Sequence, residues 1–294
     1  MDISASMVKE LREKTGAGMM DCKKALVESN GDMDKAVDYL REKGISKAAK
    51  KAERIAAEGL SNIYIKGNKA VVVELNSETD FVAKNEEFKE LLDKIGNTIL
   101  DNNVTTMEDA LNSKCGDETI NDLIVNATAK SGEKISLRRF EVVTKTDDQQ
   151  FGTYVHHDGK TACVVVINGT NAEVGKPVAM QIASMKPQYV DRDHMPAEIV
   201  AHETEIQKEI AKNDPKNAGK PDSIIEKMVA GRVSKSLQDL RLVDQAFILD
   251  GNKKVSAYLS ENNSSVESFV LYVVGEGIEK KKDNWVEEVQ AALK

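Results

Sequence analysis

The sequence predicts an α+β fold with an N-terminal three-helix head, a duplicated core of small antiparallel sheets with helices, and an inserted antiparallel helical hairpin. Three observations carry this reading. Capped helical patterns fill residues 4–43. Two segments, 67–76 and 159–168, overlay without a gap. Late in the chain, two helix-patterned stretches flank a turn-rich run at 214–221.

In the head, Ser4 or Ser6 is placed to cap a first helix whose Val8 and Leu11 share a face. Thr15-Gly16-Ala17-Gly18 breaks it, because closely spaced glycines favour a turn. Residues 19–29 form a second helix with Ala25 and Leu26 inward. Asn30-Gly31 stops it, Asp32 caps the third, and Ala36, Val37 and Leu40 give that helix its buried stripe. The head, residues 1–45, is near the lower size at which domains fold alone. Its pattern resembles the ubiquitin-associated (UBA-like) three-helix type. Met19 and Met20 read either as ordinary packing or as a partner surface, since methionine adapts its shape. Residues 46–57 form a connector, and the basic, alanine-rich stretch 43–54 is expected to be helical. Its lysines face either solvent and acidic groups or nucleic acid.

After residue 58 the period changes. Residues 63–65 and 70–75 read as strands joined through Gly67-Asn68, a hairpin signal. Residues 86–100 read as a helix through Phe88, Leu91, Leu92, Ile95 and Ile99. A further helix is expected over 117–129 and a strand over 135–143. The overlay of 67–76 on 159–168 matches Gly67 with Gly159, Ala70 with Ala162, Val72 with Val164, Val73 with Val165 and Asn76 with Asn168. The second copy also leads into a helix, over 177–185, and the later strand recurs at 268–274. Two related units follow, one at 58–145 and the other at 146–190 with 238–274. Beyond the shared Asn the copies diverge. Phe81 stands where the second copy has Glu173, so the core does not require an apolar residue there. The alternative is that Phe81 staples the start of the next helix.

The excursion at 191–237 reads as two antiparallel helices. Ile199, Ile206 and Ile210 lie at heptad-like spacing in one, and Ile225, Met228 and Val233 recur in the other. The chain closes with a C-terminal module at 275–294.

Composition narrows the function. The hydrophobic content is 40% with only 4% aromatic, so aliphatic side chains must fill the cores. A net charge of −8 and a pI of about 5.3 argue against direct nucleic-acid binding by phosphate neutralisation. No apolar run is long enough to cross a membrane. The N-terminal stretch lacks the basic and apolar segments of a secretory signal. Three scattered cysteines suggest neither a disulfide framework nor a zinc set, so a cytoplasmic location is expected. The four histidines have no nucleophile at diagnostic spacing, and His156-His157 reads as a surface hairpin turn. Gly16-Ala17-Gly18 and Gly275-Glu276-Gly277 are too short to cradle phosphates. No cofactor and no covalent chemistry are expected.

Three segments together carry a specific resemblance. They are residues 11–26, from Leu11-Arg12-Glu13 to Lys24-Ala25-Leu26, then Thr79-Asp80-Phe81-Val82-Ala83-Lys84, then Val274-Gly275-Glu276-Gly277-Ile278-Glu279-Lys280. The chain is similar, over nearly its whole length, to the bacterial elongation factor Ts family, the nucleotide-exchange factors of elongation factor Tu. The resemblance implies that the head docks on the partner's G domain, with contacts at Arg12, Met19, Met20 and Lys23. It implies that Thr79, Asp80, Phe81 and Val82 push into that domain and disturb its magnesium site, so that GDP leaves. It further implies contacts to another domain at His156, with His157 as the competing candidate, and to the G domain at Gly275, Glu276 and Gly277. The arm is expected either to pack or to form a homodimer. A reading of another class remains: a UBA-like binding module or chaperone-type adaptor that uses the head alone.

Overall fold

The computed structural model describes residues 3–15 and 17–279. The head holds helices α1 (Ala5–Thr15), α2 (Met19–Glu28) and α3 (Met33–Ala49). The expected caps form. The Ser4 hydroxyl accepts the Met7 N–H, and the Asp32 carboxylate accepts those of Asp34 and Lys35, satisfying donors that a helix start leaves open. Asn30 and Gly31 turn the chain with φ of 50° and 80°. Val8, Leu11, Cys22, Ala25, Leu26 and Ala36 make the small core. Gly16 of the expected breaker lies outside the described residues.

The connector differs from expectation. The third helix runs through residue 45 to Ala49, so head and connector share one helix, and residues 51–54 are turns rather than helix. Tertiary ties end it. Arg54 pairs with Glu78 at 3.3 Å, and its carbonyl accepts from the Lys134 ammonium at 3.0 Å.

The first unit contains β1 (Glu58–Lys66), β2 (Lys69–Ser77), α4 (Asp80–Ala83), α5 (Glu86–Asn102), α6 (Met107–Asn112), the short β3 (Lys114–Cys115) and β4 (Glu118–Thr119), α7 (Ile120–Ser131) and β5 (Ser136–Thr144). The helix expected from residue 117 begins at Ile120, because Thr119 and Asp122 form a capping box and residues 114–119 pair as β3 and β4. The second unit contains β6 (Gln149–His156), β7 (Thr161–Asn168) and α8 (Gly175–Met185). The arm follows as α9 (Ala197–Asn213) and α10 (Asp222–Ser236). The chain then forms β8 (Ala246–Phe247), β9 (Asp250–Lys254), α11 (Val255–Glu261) and β10 (Ser265–Val273).

The two main sheets have equivalent strand orders, β1-β2-β5 and β6-β7-β10, all antiparallel. The overlaid segments are the central strand of each. Both central strands are buried on both faces, which explains their unbroken apolar runs. Val71, Val73 and Leu75 of β2 face the helices of the first unit. Cys163, Val165 and Ile167 of β7 face those of the second. Ala70 and Val72 meet Ala162, Val164 and Val166 in a layer between the sheets. The order is helix, sheet, sheet, helix. Where α8 crosses β6, the backbones of Gly152 and Gly175 touch, and a Cβ at 152 would lie 2.2 Å from the Gly175 carbonyl oxygen.

In the arm the expected seam is corrected. Ile199 packs inward with Val200, Ala211, Val229 and Val233, but Ile206 and Ile210 are exposed. The inward side of α9 runs through Val200, Thr204, Gln207 and Ala211. Its middle is polar, so apolar spacing alone picked the wrong face.

One charge sits in the inter-sheet layer. Glu74 overlays Val166 of the second copy, and both are buried, at 0% and 1% exposure. The Glu74 carboxylate accepts from Arg138 at 2.9 Å, from Arg139 at 2.6 Å and from the Gly275 N–H at 2.9 Å. Desolvation pushes its pKa up, but the Gly275 N–H and the two guanidiniums outweigh it and hold the carboxyl below the ordinary glutamate range. Because the folded value is depressed, the stability it contributes is complete above the unfolded value of about 4.3 and is lost as pH falls through the folded one. Glu74→Ala is expected to lower urea stability at neutral pH by about 1–3 kcal/mol, since it removes an acceptor of two guanidiniums and of the Gly275 N–H. Glu74→Gln is expected to flatten the loss of stability with acid below about pH 4.3.

Candidate functional site

Past the end of β2, the chain turns into a single helical turn, α4. Thr79 is its N-cap, and its hydroxyl oxygen accepts the Val82 N–H at 3.4 Å. Ser77 donates its hydroxyl to the Thr79 carbonyl at 2.8 Å. From across the unit, Glu133 accepts both the Thr79 N–H at 3.0 Å and the Thr79 hydroxyl at 2.6 Å. The neighbouring Glu78 accepts the Lys134 N–H at 2.6 Å. Two adjacent residues are thus tied to two adjacent residues, and the turn is held at its base.

What the turn presents follows from this anchoring. Val82 and Ala83 pack against the core of the first unit. Phe81 points out and is 82% exposed. The staple alternative for Phe81 is therefore overturned, because Val82 fills the inward position. Asp80 pairs with Lys84 at 2.6 Å, one helical turn on, and that hydrogen bond holds its carboxyl below the ordinary aspartate range. The strand β1 packs against both α4 and the β6–β7 turn, where Lys160 donates to Glu58 at 2.8 Å.

That turn carries His156. The strand β6 ends on it, and His157, Asp158 and Gly159 follow with φ of 48°, 50° and 98°, so the expected surface hairpin turn forms. The half-buried His156 ring has its Nδ1 2.9 Å from the Tyr154 hydroxyl, and the exposed His157 ring lies edge-on to it at 3.9 Å. The two histidines thus differ: His156 is held, and His157 projects.

The other residues lie apart from this site. In the head, Met19 and Met20 are 58% and 76% exposed, which overturns ordinary packing for both. Arg12 and Lys23 are exposed as well. The exposed Val27, seven residues after Met20, extends the same stripe of α2; its helical spacing was the signal that sequence reading passed over. Gly275, Glu276 and Gly277 lie at the surface but are tied to the chain's own residues. A Cβ at Gly275, with φ of 76°, would lie 2.2 Å from the Ala57 carbonyl oxygen. The Glu276 carbonyl accepts from Arg138, its carboxylate lies 3.5 Å from Arg139, and Gly277 has φ of 75°. The C-terminal module from residue 280 on lies outside the described residues.

Among the described residues no cluster of His, Cys, Asp and Glu could hold a metal, and no helix is long and apolar enough to cross a membrane. The projecting features are surfaces: an apolar stripe on the head and a lone phenylalanine on a tied turn. Phe81→Ala is expected to change unfolding stability by no more than about 0.5 kcal/mol, since the side chain is solvated. Cooperative thermal unfolding of the variant checks this.

The family model for elongation factor Ts matches residues 78–276, a range that starts just before Thr79 and ends within Gly275-Glu276-Gly277. The chain is 50% identical over 289 residues to an elongation factor Ts of Limosilactobacillus reuteri (strain DSM 20016), an alignment that covers 98% of each chain. The chain belongs to the elongation factor Ts family.

Proposed function

We propose that this chain promotes GDP release from elongation factor Tu by pressing the Thr79–Val82 turn into the partner's G domain and disturbing its magnesium site, so that GTP can bind during translation elongation. The observation that carries the reading is Phe81, an 82% exposed phenylalanine on a turn tied at its base. Burying such a ring in a partner removes apolar area from water and is favourable. The chain acts without covalent chemistry and without a cofactor of its own; the GDP and magnesium belong to the partner. The UBA-like head docks through Arg12, Met19, Met20 and Lys23, and His156 meets another domain of the partner. Gly275, Glu276 and Gly277 make further contacts to the G domain. The protein works in the cytoplasm, without nucleic acid, and the exposed Ile206 and Ile210 of the arm are where a homodimer would form.

Magnitudes limit what the wedge does alone. Accelerating release about 10,000-fold requires about 5.5 kcal/mol off the barrier. Burying one phenylalanine supplies about 1.5–3 kcal/mol. The rest comes from other contacts, and only those stronger in the opened partner count.

The test is release of fluorescent GDP from elongation factor Tu with and without this protein. Acceleration at micromolar concentrations is expected, and its absence contradicts the proposal. The UBA-like adaptor reading predicts instead that the head alone retains the partner while release stays slow.

A further inference from the structure

The tie between Thr79 and Glu133 has a counterpart in the second unit. In the overlay that matches Asn76 with Asn168, Thr79 falls on Asn171. Asn171 donates its side-chain amide to Asn262 at 2.9 Å. Its own Oδ1 accepts the Glu173 N–H at 3.1 Å, as the Thr79 hydroxyl accepts that of Val82. Asn262 precedes the first residue of β10 by three positions, and Glu133 precedes the first residue of β5 by three. Each unit therefore ties the loop after its central strand to the loop before its last strand. The second unit uses one bond between neutral amides. In the first a carboxylate accepts two bonds, from the N–H and the hydroxyl of one residue, and charge-assisted bonds are about twice as strong as neutral ones.

The stronger tie occurs where the loop carries exposed Phe81, and the weaker one where it carries Glu173. Folding of the second unit shows what this architecture needs. The first unit has more than that, placed two residues from the wedge. The anchor also reaches the head. Glu133 follows α7, which packs on α3 through Val125 and Ala129 against Gly44 and through an Arg41–Asp122 pair at 2.8 Å. Glu78, next to Thr79, pairs with Arg54 of the connector at 3.3 Å.

We infer that Glu133 is a positioning residue for nucleotide exchange: its two bonds to Thr79 hold Phe81 at a fixed angle to the docked head, so that head docking and wedge insertion occur as one rigid movement. The inference rests on the wedge reading of Phe81. A ring on a loose turn would swing aside when it met the partner, and its burial would stabilise the opened state less.

The experiment is a double-mutant cycle with the full chain, in which fluorescent GDP release from elongation factor Tu is followed over exchange-factor concentration. Glu133→Ala is expected to lower the maximal rate about tenfold with half-saturating concentration little changed and the chain still folded, though with a lower midpoint of thermal unfolding. In a Phe81→Ala background it is expected to add nothing, because it acts only through Phe81. Losses that multiply in the double variant would overturn the inference, as would a raised half-saturating concentration at unchanged maximal rate. If Glu133→Ala unfolds, Glu133→Gln serves, because it keeps the volume and one acceptor; an intermediate loss is expected, and no loss overturns the positioning role. If Phe81→Ala alone leaves the maximal rate unchanged, the wedge reading falls and the inference with it. Slowing by Phe81→Ala but not by Glu133→Ala removes the inference alone.

Discussion

Ala70 and Val72 of one central strand lie against Ala162, Val164 and Val166 of the other, with almost no exposure between them. Every other placement hangs on that apolar layer. It forces both central strands to be apolar on both faces and pushes the helices to the outside. It brings the loops at one end of each unit alongside each other, so that α4 and the β6–β7 turn share a neighbourhood. At about 25 cal/mol per Å² of apolar area removed from water, a layer of small aliphatic side chains contributes several kcal/mol, enough to make two small units behave as one platform. Glu74 interrupts the layer, and its carboxylate gathers Arg138 and Arg139 of the first unit and the N–H of Gly275, just past the end of β10. A buried charge is weak evidence for net stability, but it fixes which groups must meet there.

Under the proposed function, that platform carries exposed side chains that would meet the partner. The head presents exposed methionines and the first unit an exposed phenylalanine on a tied turn, while the second unit holds His156 against Tyr154. This division suits a protein that must bind one conformation of a partner better than another. Under that proposal, adaptable side chains would tolerate the docking surface in both states, while a ring on a tied turn would be buried only where the partner has opened. By linkage, GDP then weakens binding of the exchange factor by the factor by which the exchange factor weakens GDP.

Much of this was legible in the sequence because the chain contains its own comparison. Overlaying 67–76 on 159–168 identified the central strands and showed that Phe81 is not a core residue. The same overlay placed Glu74 opposite Val166, a charge within an apolar run, and that signal was not read. The Thr79–Glu133 tie was beyond local pattern, since its partners lie 54 residues apart and neither belongs to a periodic stretch. The strand β6 was missed because Gln149-Gln150-Phe151-Gly152-Thr153 has no apolar run, and α11 because it is only seven residues long. The arm misled because Thr204 and Gln207 occupy the middle of its inward side, leaving two isoleucines to suggest the opposite face. Helix spacing reports a buried side only when that side is apolar.

The central claim is that Phe81 contributes binding that exists only in the opened partner. Calorimetric affinities for nucleotide-free and GDP-bound elongation factor Tu, compared between this chain and its Phe81→Ala variant, test it most directly. The account predicts that the variant loses affinity for the nucleotide-free form by about 10- to 100-fold, the equivalent of burying one ring, while affinity for the GDP-bound form changes little. An equal loss for both forms, or no loss for either, would contradict it.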